Sequence, residues 1–397
     1  MREVRKFAAL AISCLLSSSA AKAQMWDALA TSPYRIDSAA VGTLRVEVDN
    51  LDFFRDNEFS SVLCKGYSLP GLWLQPKLVY TPLSRIEIEM GCHALIFNGA
   101  NKYPCYAYQD IGTWKGNQYQ RGAHVLPWVR AKAQFRHLSI VLGDIYGGQN
   151  HGFILPLYNP EANLSQDPEM GVQLLWDRRH LHADTWINWQ SYIFDMDTHQ
   201  EAFTVGSNWR VLFNAEDSRV HWYMPVQLVI QHRGGEQDTT SMGVQTICNM
   251  SLGAGVRWNA GKKLLTRLGA QVNLMAAYQQ SGEMWPFDTG TAFHANVEAC
   301  LLRHIGLQAG VVHAPRHFVS LYGNKLFNTL SCIDGVSEPG QTTAYLHADY
   351  HYPFAKGYAV GVEAEAYQGM LRGASETNFS FGVCLRVNPS FVLWRKK

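Results

Sequence analysis

Arg85-Ile86-Glu87-Ile88-Glu89-Met90 alternates charge and hydrocarbon residue by residue. Successive side chains of an extended strand point to opposite faces, so a period of two gives one apolar face and one charged face. The pattern recurs on both sides of this stretch. Leu44, Val46 and Val48 oppose Arg45 and Glu47. Val220, Trp222, Met224, Val226, Leu228 and Ile230 oppose His221, Tyr223, Gln227 and Gln231. Leu268, Ala270, Val272, Leu274 and Ala276 oppose Arg267, Gln271 and Asn273.

The connections between such segments alternate in length. A long connection is expected from the first strand to about Gly71, followed by a strand over 72–80 and a tight turn at Thr81-Pro82. Loops over 98–122, 147–169, 232–242, 280–289 and 314–341 then alternate with turns at Arg136-His137, Asp177–Arg179, Asn214–Ser218, Asn259–Lys262 and Pro353. Gly, Pro, Asn and Asp punctuate them as their backbone preferences require. About sixteen strands result, an even number with both termini on the short-turn side, as in a closed up-and-down transmembrane β-barrel with short periplasmic turns and long extracellular loops. A hairpin of that kind takes roughly 45 residues, and eight of them account for the chain beyond residue 23. The competing fold is a soluble β-sandwich with its polar faces outside. Sorting of loops by length favours the barrel.

Residues 1–23 read as a secretory signal. Arg2, Arg5 and Lys6 precede an apolar run from Phe7 to Leu16, and Ala21-Lys22-Ala23 forms a small-x-small cleavage site. A lipoprotein signal cut before Cys14 is the weaker alternative. Removing 1–23 takes four basic residues and one acid from 34 Lys+Arg and 33 Asp+Glu, leaving a net charge near −2 and no nucleic-acid surface. Beyond the signal the reading divides into a periplasmic segment over 24–40, the barrel over 41–387, and 388–397 as either a bent strand end or a periplasmic tail. No stretch reaches 18 consecutive apolar residues, so a membrane would be crossed only as a barrel. Seven cysteines remain after cleavage, without a C-x-x-C. Cys64, Cys105 and Cys332 fall in expected loops, where an oxidising compartment would let them pair.

The charged faces supply pore-lining candidates: Arg45, Glu47, Arg85, Glu87, Glu89, Arg130, Lys132, Arg267, Glu363 and Glu365. Opposed signs would set a transverse field in a pore, or pair across strands and close the lumen. Among loop aromatics, Tyr106, Tyr108, Trp114 and Trp285 are candidates for ligand contact, sugar stacking in particular. The competing role is packing the loops against one another. His180, His182, Asp184, Trp186, Asn188 and Gln190 share one strand face, and Asp144 and His151 flank a glycine turn. Asp144/His151 or His182/Asp184 would be the acid–base pair of a barrel-borne enzyme. A polar lumen ladder is the simpler reading. No catalytic or metal residues and no cofactor are assigned.

With Gly66-Tyr67-Ser68-Leu69-Pro70-Gly71, Gly143-Asp144-Ile145-Tyr146-Gly147-Gly148 and Asp184-Thr185-Trp186-Ile187-Asn188-Trp189, the chain resembles porin-like outer-membrane β-barrels of Gram-negative bacteria, the Bacteroidota type above all. The resemblance implies outer-membrane residence and passive diffusion of small hydrophilic solutes. Its partners would be outer-membrane lipid and the barrel-insertion machinery, and it brings no catalytic residues. The resulting expectation is a channel and not an enzyme, with the oligomeric state open. The alternatives are a barrel-scaffolded enzyme acting on lipid or surface polymer, and a secreted carbohydrate-binding sandwich.

Overall fold

The computed structural model describes residues 35–97, 122–331, 334–371 and 373–396. The strands are β1 (Thr43–Ser60), β2 (Lys65–Leu83), β3 (Ile86–Phe97), β4 (Gly122–Gln134), β5 (Leu138–Asp144), β6 (Met170–Arg178), β7 (Leu181–Ser191), β8 (Ala202–Leu212) and β9 (Val220–Arg233). They continue with β10 (Gln245–Trp258), β11 (Leu265–Ser281), β12 (Thr289–Leu301), β13 (Ile305–Ala314), β14 (Gln341–Ala355), β15 (Tyr358–Leu371), β16 (Ala374–Val387) and β17 (Ser390–Arg395). Each of β1 to β16 pairs antiparallel with its neighbours in sequence, and β1 pairs with β16 from Asn50↔Val387 to Glu58↔Phe379. That pairing closes a barrel of sixteen strands. After Asn388-Pro389 the chain resumes as β17 and pairs with the first residues of β1, from Thr43↔Arg395 to Glu47↔Ser390.

The burial pattern is inside-out relative to a soluble protein. Ile88, Met90, Val129, Leu174, Trp222, Leu274, Val362 and Phe381 are exposed, while Glu87, Glu89, Arg130, Gln173, His221, Asn273, Glu363 and Ser380 are buried. A sandwich would bury the first set and expose the second. Apolar residues facing outward all round a closed sheet are stable against hydrocarbon, and closure leaves no unpaired backbone edge there. No helix among the described residues is long and apolar enough to cross a membrane.

The long connection expected before Gly71 is instead two of the longest strands, β1 and β2, joined at residues 61–64. Asp49, Asp52, Arg55, Asp56 and Asn57, with Gly66, Pro70, Gly71 and Pro76, carry the composition of a loop. Asp49, Arg55 and Asn57 face the lumen, where partners satisfy them, and polarity there does not forbid a strand.

Two loops fill the long-loop half of the lumen. Residues 145–169 fold inward with short helical turns at Gly148–His151 and Pro160–Leu164, and residues 315–340 fold inward with one at Lys325–Phe327. They meet at a Tyr158↔Tyr322 bridge, where Asn159 N donates to Tyr322 O at 2.7 Å. Leu157, Leu164, Phe318 and Phe327 pack with Phe59, Met275, Tyr345 and Tyr367 of the wall in one core.

Arg55 locks this plug to the wall. It is 2% exposed, and its Nε lies 2.9 Å from Glu161 Oε2, Nη1 2.6 Å from Glu363 Oε1, and Nη2 2.5 Å from Glu365 Oε2. Asn57 and Tyr67 also donate to Glu161, which opens the second inward turn. Removing one partner of a buried ion pair costs about 3–5 kcal/mol, because the other charge stays buried. Arg55→Met is therefore expected to lower the unfolding temperature markedly in heat-modifiable gel mobility, and Arg55→Met/Glu161→Gln to recover part of the loss.

Candidate functional site

His151 ends the first inward turn and is 2% exposed. Its placement follows from glycines: Gly148 (φ 62°) and Gly152 (φ 65°) adopt the left-handed conformation on either side of it. A Cβ on Gly148 would also lie 2.1 Å from Asn163 Oδ1, which accepts from Gln149 N at 3.0 Å. The ring stacks on Trp186 of β7 with centroids 3.4 Å apart and planes 5° from parallel.

Both ring nitrogens face carboxylates. Nδ1 lies 2.7 Å from Asp184 Oδ2, and Nε2 lies 3.1 Å from Glu169 Oε2. Gln173 Nε2 donates to Asp184 Oδ1 at 2.9 Å, and Gly148 N donates to Glu169 Oε1 at 2.8 Å. Each carboxylate thus has one oxygen fixed and one turned to the imidazole. Burial alone would push His151 down, but Glu169 and Asp184 outweigh it and lift the ring to about 9. Burial likewise works against a charged Glu169, and the imidazolium beside it holds it below the usual carboxylate range. The imidazole thus lies between two carboxylates, with its ring face covered by the Trp186 indole.

A pocket of about 80 Å³ opens beside this centre toward the long-loop side. Apolar Phe153, Leu157, Trp186 and Val229 line it together with polar Glu169, Asn188, Gln190, Thr204 and Tyr322. On the outer surface of the same strands, Trp189 stacks on Phe203 with centroids 4.9 Å apart, and Tyr192 and Phe194 are exposed beyond them. Such a belt suits a membrane interface. His151 and Asp184 also line a second pocket of about 400 Å³ facing the short turns, with His182, Arg210 and Glu216.

The structure re-pairs the acid–base candidates. His151 meets Asp184, not Asp144, whose carboxylate accepts from Val129 N at 2.6 Å. His182 stands 3.4 Å from Asp177 and 3.8 Å from Glu216 at the half-exposed short-turn rim. His180 faces the Leu212 carbonyl. Glu169 is the partner that sequence reading missed, since it lies at a loop end outside any periodic segment.

Of the pore-lining candidates, Arg45 pairs with Glu87 at 3.1 Å and Glu47 at 3.4 Å, and Arg130 pairs with Glu89 at 3.2 Å while packing over Tyr146 at 3.9 Å. Lys132 also reaches the Tyr146 ring, Glu363 and Glu365 bind Arg55, and Arg267 stands 4.0 Å from Glu298. Arg85 is exposed at the β2–β3 turn. Apart from Arg85, these charges meet opposite charges or aromatic faces on the strands or on the inward loop. Trp285 is 5% exposed and exchanges backbone hydrogen bonds with the Gln279 side chain, so it packs the loop inward. Tyr106, Tyr108 and Trp114 lie outside the described residues, as do Cys105 and Cys332.

Fold and site together define a plugged transmembrane β-barrel with a buried histidine held between two carboxylates. Solved structures similar to the chain include OccAB3 of Acinetobacter baumannii, at 9% identity over 88% of this chain and 99% of that one, TM-score 0.49. The outer membrane protein OprD of Pseudomonas aeruginosa is similar at 8% identity over 91% and 97%, TM-score 0.49. OmpT of Vibrio cholerae, in a loop L8 deletion mutant, is similar at 11% identity over 87% and 99%, TM-score 0.47. The barrel assignment itself rests on the strand pairing. No curated protein matches the chain. The model of the lipid A 3′-O-deacylase-type family matches residues 36–396, and the chain belongs to that family. This corrects the expectation of a protein that is not an enzyme, because the family is an enzyme family. The charged period-two faces that suggested a channel are equally the lining of a barrel that carries a buried site.

Two outcomes test the geometry. His151 is raised from 6.5 to about 9, so its stabilising contribution is complete below about 6.5 and disappears as pH rises through about 9. The unfolding temperature of the detergent-solubilised barrel should fall across that window, and His151→Gln should flatten the fall. A Cβ on Gly206 would lie 2.0 Å from Trp186 Cζ2. Gly206→Ala is expected to displace the indole from His151, seen as altered tryptophan fluorescence with the barrel still heat-modifiable.

Proposed function

We propose that this protein is an outer-membrane hydrolase that removes an ester-linked acyl chain from a lipid A-type glycolipid. The observation that carries the reading is the His151–Glu169–Asp184 centre, open to a pocket lined by both apolar and polar side chains, in a chain of the lipid A 3′-O-deacylase-type family. A substrate that carries hydrocarbon and sugar on either side of its ester suits such a mixed lining. The exposed aromatics on β7 and β8 stand at the same end of the barrel, where loops would meet the outer leaflet. Export by a leader within residues 1–23 is part of the proposal.

Hydrolysis needs a base for the attacking water and an acid for the leaving alkoxide. Glu169, kept ionised, takes the proton as water attacks the ester carbonyl. The His151 imidazolium stabilises the developing oxyanion and supplies a proton to the sugar oxygen as the acyl–oxygen bond breaks. Asp184, fixed by Gln173, positions the ring through Nδ1. The products are a free fatty acid and a glycolipid hydroxyl, and Glu169 returns its proton to His151. Passive diffusion of solutes would require an open lumen, and two loops pack across the long-loop half of this one.

The test is release of fatty acid from lipopolysaccharide-containing vesicles by purified, reconstituted protein, followed by mass spectrometry. His151→Gln and Glu169→Gln should each reduce the rate by roughly 10²–10⁴-fold, the span of a lost acid–base group. Wild-type protein that leaves the acyl content of lipid A unchanged overturns the proposal. So does full activity in a correctly folded Glu169→Gln variant.

A further inference from the structure

β14 and β15 bring together a second buried cluster that the hydrolytic centre does not use. His347 is 4% exposed, and its Nε2 makes no hydrogen bond. That nitrogen lies 3.6 Å from Glu363 Oε2 and 3.9 Å from Asp349 Oδ1, while Nδ1 lies 3.8 Å from Glu365 Oε1. These spacings are too long for hydrogen bonds. The Nε2 spacings suit donors that share an ion, since two ligands of a tetrahedral zinc stand about 3.4 Å apart. One ligand atom from each of His347, Glu363 and Glu365 falls within 4.8 Å of the others.

The remaining oxygens explain why the carboxylates point as they do. Glu363 Oε1 accepts from Arg55 Nη1 at 2.6 Å. Glu365 Oε2 accepts from Arg55 Nη2 at 2.5 Å, from Ser380 Oγ at 2.8 Å and from Tyr367 OH at 2.9 Å. In each case one oxygen is tied down by outer partners and the other faces the imidazole, the arrangement by which outer partners orient metal ligands.

We propose that His347, Glu363 and Glu365, with Asp349 as a fourth ligand, hold a divalent transition-metal ion of the zinc type. A nitrogen donor with few oxygens fits zinc better than calcium or magnesium, which take six or more oxygen ligands or retain several waters. The ion ties β14 to β15 beside the Arg55 clamp and acts as a structural brace. This proposal does not rest on the hydrolase reading, because its readout is metal content.

The experiment uses untagged full-length protein, purified in detergent, exposed to zinc and dialysed against buffer without chelator. Mass-spectrometric metal analysis should find about one zinc per chain, as for a closed four-ligand site. Calcium in excess should not displace it. His347→Gln should reduce zinc at least tenfold, whereas His151→Gln should retain it. Heat-modifiable mobility reports whether each variant folds. Should His347→Gln fail to fold, cobalt loading of the wild type decides: visible absorption of a nitrogen–oxygen site, quenched by zinc, supports the proposal. Wild type that retains neither metal overturns it, as does zinc that survives His347→Gln or is lost with His151→Gln.

Discussion

The structure depends on a single guanidinium placed where a barrel of this size would otherwise hold water. Arg55 projects from β1 and meets carboxylates from β15 and from the inward loop 145–169. A charge so deeply buried is tolerated because each of its three nitrogens finds an acceptor. The ties that result are geometric as much as energetic. Glu161 fixes one end of the loop to the β1–β2 wall, which leaves the other end, with Gly148 and His151, to be aligned against β7. The lumen becomes a packed interior, and the acid–base centre sits on a rigid support instead of a swinging loop.

Most of the barrel was legible in the sequence because lipid on one side and polar partners on the other enforce strict alternation. Ile86–Met90 shows it without interruption, and Val220–Gln231 and Leu268–Ala276 show it with Val229 and Met275 as inward apolar exceptions. β1 and β2 were not legible, and the reason is specific. Asp49, Arg55 and Asn57 are lumen residues whose partners come from distant strands and from a loop, and Pro70 and Pro76 read locally as turns. Strand propensity reflects local neighbours; these residues are decided by remote ones.

The site was legible in its components and not in its pairing. His151, Asp184 and Trp186 all stood out by residue type or by shared face. Which histidine meets which carboxylate depends on how far the loop 145–169 folds into the lumen, and no periodicity encodes that. Glu169 immediately precedes β6, and its partners His151 and Gly148 lie 18 and 21 residues earlier in the same loop, so no local spacing signalled it. The charged lumen face misled for a related reason. Arg45, Glu87, Glu89 and Arg130 look like the wall of an aqueous pore until the cross-strand distances show them neutralising one another.

The seam between β1 and β16, prolonged by β17, joins the two extremes of the fold: Arg386 donates to Asp49 across 337 residues of chain. Ring closure over such a separation gains nothing until the intervening ribbon has been laid down, and its entropic cost must be met before any contact repays it. Assembly therefore has to proceed with both margins of the sheet open and unsatisfied, a state that hydrocarbon does not tolerate. Once the margins meet, separating them again means breaking the whole row together, so the finished ring is held as much by slowness of escape as by depth of the well.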